Sequence, residues 1–110
     1  MKLKYWLKYK WQRLTKGFGD DEVWNLDVTI AEFILPRLKR LREIQHGFPA
    51  CLDKDGEDLG AVEWDRRLDS MIEAFIIISN ECYWDMDSEM NKVVKEGLNY
   101  FREHFFDLWD

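Results

Sequence analysis

Cysteines, long apolar runs and export signals are scarce in this 110-residue sequence. Its two cysteines, Cys51 and Cys82, are too few for a disulfide scaffold and fit no zinc-binding spacing. We therefore expect free thiols in a reducing cytoplasm. The longest apolar run, from Ala74 to Ile78, is far too short to cross a membrane, and lysines interrupt the first residues where a signal peptide needs an apolar segment. Neither a membrane span nor a signal peptide is predicted.

Acidic residues are absent from the first 16 positions, which hold six lysines or arginines. The chain still has a net charge of −6, because residues 17–110 hold all 22 acidic residues against ten basic ones, a net charge of −12. Generic nucleic-acid binding needs a clustered positive face, so it is not expected of this acidic part. The sequence divides into a basic head, residues 1–16, and a single helical domain, residues 17–110.

Aromatic residues are abundant, with six Trp, four Tyr and seven Phe. A domain of this length buries roughly two thirds of the surface of its unfolded chain. So many rings must either fill that core or face a partner.

The basic head has the pattern of an amphipathic helix, with apolar residues at helical spacing: Leu3, Leu7, Trp11 and Leu14. One interpretation places this helix on an anionic membrane or in the groove of a partner. The favoured interpretation docks Trp6 and Trp11 onto the acidic domain and leaves the lysines in solvent.

The segment from Glu22 to Gln45 is apolar on three sides of its first half, with one narrow polar stripe. A helix that is apolar nearly all round is typical of an element that others surround, so we expect it to be the central helix of the domain. Pro36 removes one hydrogen bond and predicts a kink, at a cost of about 3 kcal/mol if packing does not offset it. Gly47 predicts a left-handed stop after the helix.

Two further amphipathic helices follow. One runs from Val62 to about Tyr83, and the other follows a capping turn at residues 85–88. Gly97 lies inside the latter helix, where it predicts a close crossing with a neighbour. The predicted fold class is all-α and bundle-like, with three long helices and a short basic helix at the N-terminus.

One apolar patch favours self-association. Ile76 lies outside the core stripe of its helix, and Ile77 shares a side with Ala74 and Trp84. Exposed together, these side chains would form a contact between copies, so a homo-oligomer is expected.

No catalytic residue is predicted, but one carboxylate row leaves an alternative open. Asp65, Asp69 and Glu73 are four residues apart, and Asp27 could join them from the central helix. Such a site could bind Mg²⁺ or Mn²⁺ as the cofactor of a phosphohydrolase. A surface salt-bridge row answered by Arg37 or Arg40 is the more common arrangement.

For Asp27, His46 and His104 we favour a structural role over a functional one. Asp27 shares a side with apolar residues, so we expect it to be partly buried and paired, with a ligand or metal as the alternative. His46 suits the end of the central helix, where a cation is favourable. His104 lies near the core rim, and we expect a packed ring there instead of a base.

Several short motifs, in this order along the chain, resemble those of a group of small, mostly uncharacterised proteins of tailed bacteriophages. The resemblance spans residues 17–110 and implies a setting, the cytoplasm of an infected bacterium, without implying an activity. It is carried by Gly17-Phe18-Gly19-Asp20-Asp21, Trp24-Asn25-Leu26-Asp27, Leu35-Pro36-Arg37-Leu38, His46-Gly47-Phe48-Pro49, Glu63-Trp64-Asp65, residues 68–75 and the ending from Glu96 to Asp110.

In that setting we expect a non-enzymatic binding protein that counters a host defence, either by blocking a host protein or by sequestering a nucleotide immune messenger. Rings would stack on the ligand and cations would grip its phosphate or carboxylate groups. The candidate ligand-binding residues are Trp24, Asp27, Arg37, Lys39, Arg40 and His46. The alternatives are the metal-dependent phosphohydrolase and a component of virion assembly.

Overall fold

The structure is a computed structural model that describes residues 2–52, 57–80 and 85–109. All regular structure in these residues is helical, which confirms the all-α prediction. The elements are α1 (Lys2–Lys16), α2 (Asp21–Trp24), α3 (Leu26–Ile44), a 3-10 turn (Ala50–Leu52), α4 (Glu57–Ser79), α5 (Ser88–Glu103) and a second 3-10 turn (Phe105–Asp107).

Helix α4 is the centre of the fold. Its apolar stripe of Trp64, Leu68, Met71, Ala74 and Phe75 is buried. Helix α3 packs on α4, and α5 packs on α4 elsewhere, while α3 and α5 have at most marginal contact within the described residues. The core therefore consists of two helix pairs that share one helix.

This arrangement gives a flat and elongated molecule. Its principal extents are 59 × 34 × 19 Å. The radius of gyration of 17.2 Å exceeds the ~13 Å typical of a compact domain of this length. A closed bundle would be rounder, and a flat layer leaves the outer faces of its helices uncovered.

The prediction that the segment from Glu22 to Gln45 is enclosed by the other helices is wrong for the described chain. The helix breaks at Asn25, whose φ of −127° and ψ of 67° are not helical. Within α3 only Val28, Ala31 and Leu38 are buried. The flat layer covers the one face of α3 that meets α4, and the other apolar sides face solvent.

Two predictions concern α3, a kink at Pro36 and a left-handed glycine after the end of the helix. The helix continues through Pro36, so the kink itself stays a prediction. After α3, Gln45 is extended and donates its N–H to the carbonyl of Leu41. Among the described glycines the left-handed one is Gly17, with φ of 86°, which follows α1; the left-handed stop predicted at Gly47 is therefore wrong.

The start and the crossing of α5 follow the prediction. Oδ1 of Asp87 accepts the N–H of Met90 at 2.8 Å and caps the helix. A Cβ atom added to Gly97 would lie 2.5 Å from the carbonyl oxygen of Ser70 on α4, and also against Ala74. The absent side chain lets the two helices approach closely.

The apolar patch predicted for self-association does not form as expected. Ala74 is fully buried beneath Gly97, and Ile77 is half-buried, so only Ile76 of the isoleucine pair is exposed. Trp84 lies outside the described residues. The described part of this patch therefore gives no support to self-association.

Candidate functional site

The most unusual surface of the molecule is the outer face of α1. Its apolar side chains are exposed, from 52% for Leu7 to 74% for Leu14. Between Leu3 and Lys16, only Tyr9 and Gln12 are half-buried. Both lie on the opposite side of the helix. The helix thus turns its polar side to the domain and its apolar side to solvent. We call Leu3, Leu7, Trp11 and Leu14 the α1 stripe.

Polar contacts hold α1 in this orientation. Gln12 donates to Oδ2 of Asp20 at 2.7 Å, and the backbone N–H of Asp20 donates back to Oε1 of Gln12 at 2.6 Å. The Lys16 ammonium lies 2.9 Å from Asp20, and Arg13 lies 2.9 Å from Asp21. The hydrogen bonds from Lys16 and Gln12 lower the pKa of the Asp20 carboxyl group. These contacts anchor one end of α1.

Among the described residues, one ring contact joins α1 to the next helices. The rings of Tyr9 and Trp24 are perpendicular, with their centroids 5.5 Å apart. The favoured prediction that Trp6 and Trp11 dock onto the domain is wrong, because these rings are 53% and 67% exposed. Lys10 lies over the Trp6 ring at 4.7 Å, which keeps a cation beside the exposed aromatic surface.

A second apolar surface lies on α3. Leu26, Ile30 and Phe33 are each about half exposed and lie on the side turned away from Ala31 and Leu38. We call these three residues the α3 stripe. It is continued by Arg37, whose guanidinium carbon lies 3.8 Å above the Phe33 ring and whose Nη1 donates to the Phe33 carbonyl at 2.8 Å.

The predicted ligand-binding residues do not converge on one described pocket. Trp24, Asp27, Arg37, Lys39 and Arg40 are all exposed along α2 and α3, and Arg40 pairs with Glu43 at 3.1 Å. The expectation that Asp27 is partly buried is wrong. Its side chain is exposed in the first turn of α3, one turn before the buried Ala31, and its Oδ1 accepts the N–H of Val28.

His46 lies apart from this group, in a cleft of about 360 Å³ between the end of α3, the start of α4 and the C-terminal segment. Gln45 shapes the wall of the cleft: its Oε1 accepts the indole N–H of Trp64, and its Nε2 donates to Asp65 at 3.1 Å. The described lining is Gln45, His46, Gly47, Phe48, Pro49, Trp64, Asp107 and Trp109. No Lys or Arg side chain joins these rings in that lining.

The carboxylate row on α4 forms salt bridges with an arginine that was not among its predicted partners. Arg42 lies 3.5 Å from Asp65 and 3.1 Å from Asp69, so it bridges two rungs of the row. Glu73 is exposed farther along α4. Within the described residues no group of three His, Cys, Asp or Glu side chains is arranged to hold a metal ion. The geometry supports a salt-bridge row and gives no support to a Mg²⁺ or Mn²⁺ site with Asp27.

A buried network between α4 and the C-terminal turn was only partly expected. His104 is 1% exposed, and Nε2 lies 2.8 Å from Nη1 of Arg67. Because a guanidinium only donates, Nε2 accepts, and Nδ1 carries the proton that is donated to Oδ2 of Asp107 at 2.9 Å. The ring also meets the edge of Trp64. Both nitrogens are used, so the packed ring predicted from sequence is confirmed and the network is structural.

Helices of the described chain are too short or too polar to cross a bilayer. Comparison of the chain with models of known protein families, with curated proteins and with solved structures found no match.

Proposed function

We propose that this chain is a non-enzymatic binding protein that binds a host protein and counters a host defence, in the setting that the resemblance to small phage proteins implies. The observation that carries the proposal is the α1 stripe, an outward apolar face on a helix with six basic residues and no acidic one. Recognition of an amphipathic helix by a groove uses anchors one helical turn apart, and Leu3, Leu7, Trp11 and Leu14 have that spacing.

The charge of α1 specifies the kind of groove that would receive it. A basic helix is steered toward a groove with acidic rims, since complementary potentials speed association and disfavour wrong partners. An anionic membrane is a weaker candidate, because residues 17–110 have a net charge of −12 and would be repelled from a broad negative surface. A groove is a local feature and does not impose that penalty.

The test is affinity capture from lysate of a bacterial host, with the wild-type chain and a Leu7→Asp, Trp11→Asp double variant. We expect the wild type to enrich one host protein, the double variant to lose it, and the purified pair to bind in isothermal titration. A Lys92→Asp, Lys95→Asp variant on α5 is the matched control and should retain binding, since both lysines are exposed and take part in none of the contacts that hold α1.

Two results would contradict the proposal. One is equal enrichment by the wild type and the double variant, and the other is no enriched protein together with cosedimentation on phosphatidylglycerol vesicles. The second result would assign the α1 stripe to lipid. Mass spectrometry of purified virions tests the assembly alternative, which requires the chain to be present in the particle.

The nucleotide-messenger version has less support from the geometry. A nucleotide site combines a stacking ring with a cation that faces phosphate. The described cleft that holds Phe33 and Arg13 also contains Asp21, Glu22 and Glu32, and Arg13 is already paired with Asp21 and Glu22. Isothermal titration against cyclic and linear nucleotides tests this version, and flat titrations would remove it.

A further inference from the structure

The α3 stripe has the spacing of a helix-pairing seam. Leu26, Ile30, Phe33 and Arg37 follow one another at intervals of four, three and four residues. This is the heptad spacing at which one helix packs along another. The three apolar residues are between 49% and 59% exposed, so the seam is uncovered in the single chain.

Charge changes sign along this seam. Asp27 flanks its N-terminal end, beside Leu26, and Arg37 lies at its C-terminal end. Both side chains are exposed. An antiparallel second copy would bring the acidic end of each seam to the basic end of the other, whereas a parallel copy would oppose like charges.

We propose that the α3 stripe binds the same stripe of a second copy of this chain, with the two α3 helices antiparallel. Ile30 of each copy packs against Phe33 of the other at the centre. Asp27 of each copy faces Arg37 of the other at the two ends.

The second copy is favoured over a foreign partner because the seam is complementary to itself. In a two-fold contact the same patch serves both subunits, so each Asp27 must find its cation within the patch, and Arg37 supplies it. The apolar side chains of the α3 stripe, together with exposed Val23 and Trp24, present roughly 500 Å² per copy, or about 1,000 Å² for a pair. That area is at the threshold of about 1,000 Å² for a biological interface, in the size class of weak, reversible contacts.

A charge-exchange experiment tests the antiparallel arrangement. Sedimentation equilibrium should show the wild-type chain at twice its mass of 13.4 kDa. Asp27→Arg alone and Arg37→Glu alone should each weaken the dimer by at least about tenfold, because each homodimer then opposes like charges at both ends.

Mixing the two variants should restore the dimer. At one end of the mixed pair, the arginine introduced at position 27 of one chain meets the glutamate introduced at position 37 of the other. At the opposite end, the native Arg37 of the first chain still meets the native Asp27 of the second. Opposite charges therefore face each other at both ends.

Matched controls separate the seam from a general effect of charge or exposure. Lys95→Glu on α5 makes a similar charge change to Arg37→Glu and should leave the dimer unchanged. Phe33→Asp should abolish the dimer, whereas Leu59→Asp should not, although Leu59 and Phe33 are equally exposed at 59%. Circular dichroism checks that every variant keeps its helices.

Several results would overturn the proposal. They are a wild-type chain that sediments at 13.4 kDa at about 100 µM, an oligomer that Phe33→Asp does not affect, and two weakened single variants that fail to recover when mixed. The dimer does not depend on the proposed function, because it uses the α3 stripe and not the α1 stripe. The Leu7→Asp, Trp11→Asp chain should therefore lose the host protein and remain dimeric.

Discussion

The guanidinium of Arg67 and the ring of His104 form a hydrogen bond of 2.8 Å in the interior, where α4 meets the end of α5. His104 is the buried polar side chain among the described residues, and its second nitrogen is held by Asp107. The bond joins the central helix to the C-terminal turn. Together with Leu108, which packs against the core, it holds the segment after Glu103 on α4, while Phe105 and Phe106 are exposed.

Removal of this ring is expected to be costly. His104→Ala would leave a cavity beside Trp64 and would remove the acceptor of the Arg67 N–H, so the free energy of unfolding should fall by about 3 kcal/mol. Asp107→Asn keeps the ring and still offers an oxygen to the Nδ1–H, so it loses only the charge of a partly exposed acceptor and should lower that free energy by no more than about 1 kcal/mol. Urea unfolding followed by circular dichroism measures both. Equal losses in the two variants would contradict the buried network.

The close crossing of α4 and α5 predicts an unusual effect at Gly97. In an exposed helix, replacing Gly with Ala stabilises the helix by about 1 kcal/mol. Here the added methyl group would meet Ala74 and the Ser70 carbonyl, so Gly97→Ala should instead destabilise the fold by about 1–3 kcal/mol.

Lys95→Ala is the control on the same helix and should change the free energy of unfolding by less than about 0.5 kcal/mol. A stabilised Gly97→Ala chain would contradict the close approach of α4 and α5 at this position.

Glu63 should make stability depend on pH. Its hydrogen bonds with Arg66 and Arg67 lower the pKa of the Glu63 carboxyl group from 4.5 to about 2. Because the folded pKa is the lower one, the contribution is fully present above pH 4.5 and is lost as the pH falls toward 2. The side chain is 32% exposed, so solvent screening reduces the contribution to about 1 kcal/mol.

The check is urea unfolding of wild type and Glu63→Gln at pH 7, 4.5 and 2.5. The wild type should be more stable at the two higher values, and the difference should shrink at the lowest. A difference that does not vary with pH would mean that the Glu63 carboxylate contributes nothing through its charge.

The flat layer also predicts a contrast between two apolar residues. Leu68 is fully buried on α4, so Leu68→Ala should cost about 3 kcal/mol. Phe33 is 59% exposed on α3, so Phe33→Ala should cost less than about 1 kcal/mol at concentrations where the chain is monomeric. Similar losses at both positions would indicate that α3 is covered within one chain.

Features set by nearby residues were predictable from the sequence. The cap at Asp87 depends on a contact three residues ahead, and the role of Gly97 follows from the absence of a side chain inside a periodic helix. Both predictions are confirmed. The break at Asn25 was missed, although Asn followed by an acid one residue into the next helix is a signal that could have indicated it.

Features set by distant packing were not predictable in the same way. Periodicity identifies which residues share a side of a helix, but whether another helix covers that side depends on the arrangement of the whole layer. For this reason the periodicity predicts α3 as the central helix, whereas α4 has that place. The pairing of Arg42 with Asp65 and Asp69 joins residues more than 20 positions apart, and no local pattern indicates it.

The central claim is that the apolar stripes of α1 and α3 are exposed to solvent in the single chain. Thiol labelling tests this claim most directly. Cysteine is introduced at position 7, 26 or 68 after both native cysteines are replaced by serine, and labelling rates are measured over a range of protein concentrations. Positions 7 and 26 should react rapidly in dilute solution and position 68 slowly, and only position 26, at the end of the α3 stripe, should become protected as the concentration rises. Protection of position 26 equal to that of position 68 at every concentration would contradict the account.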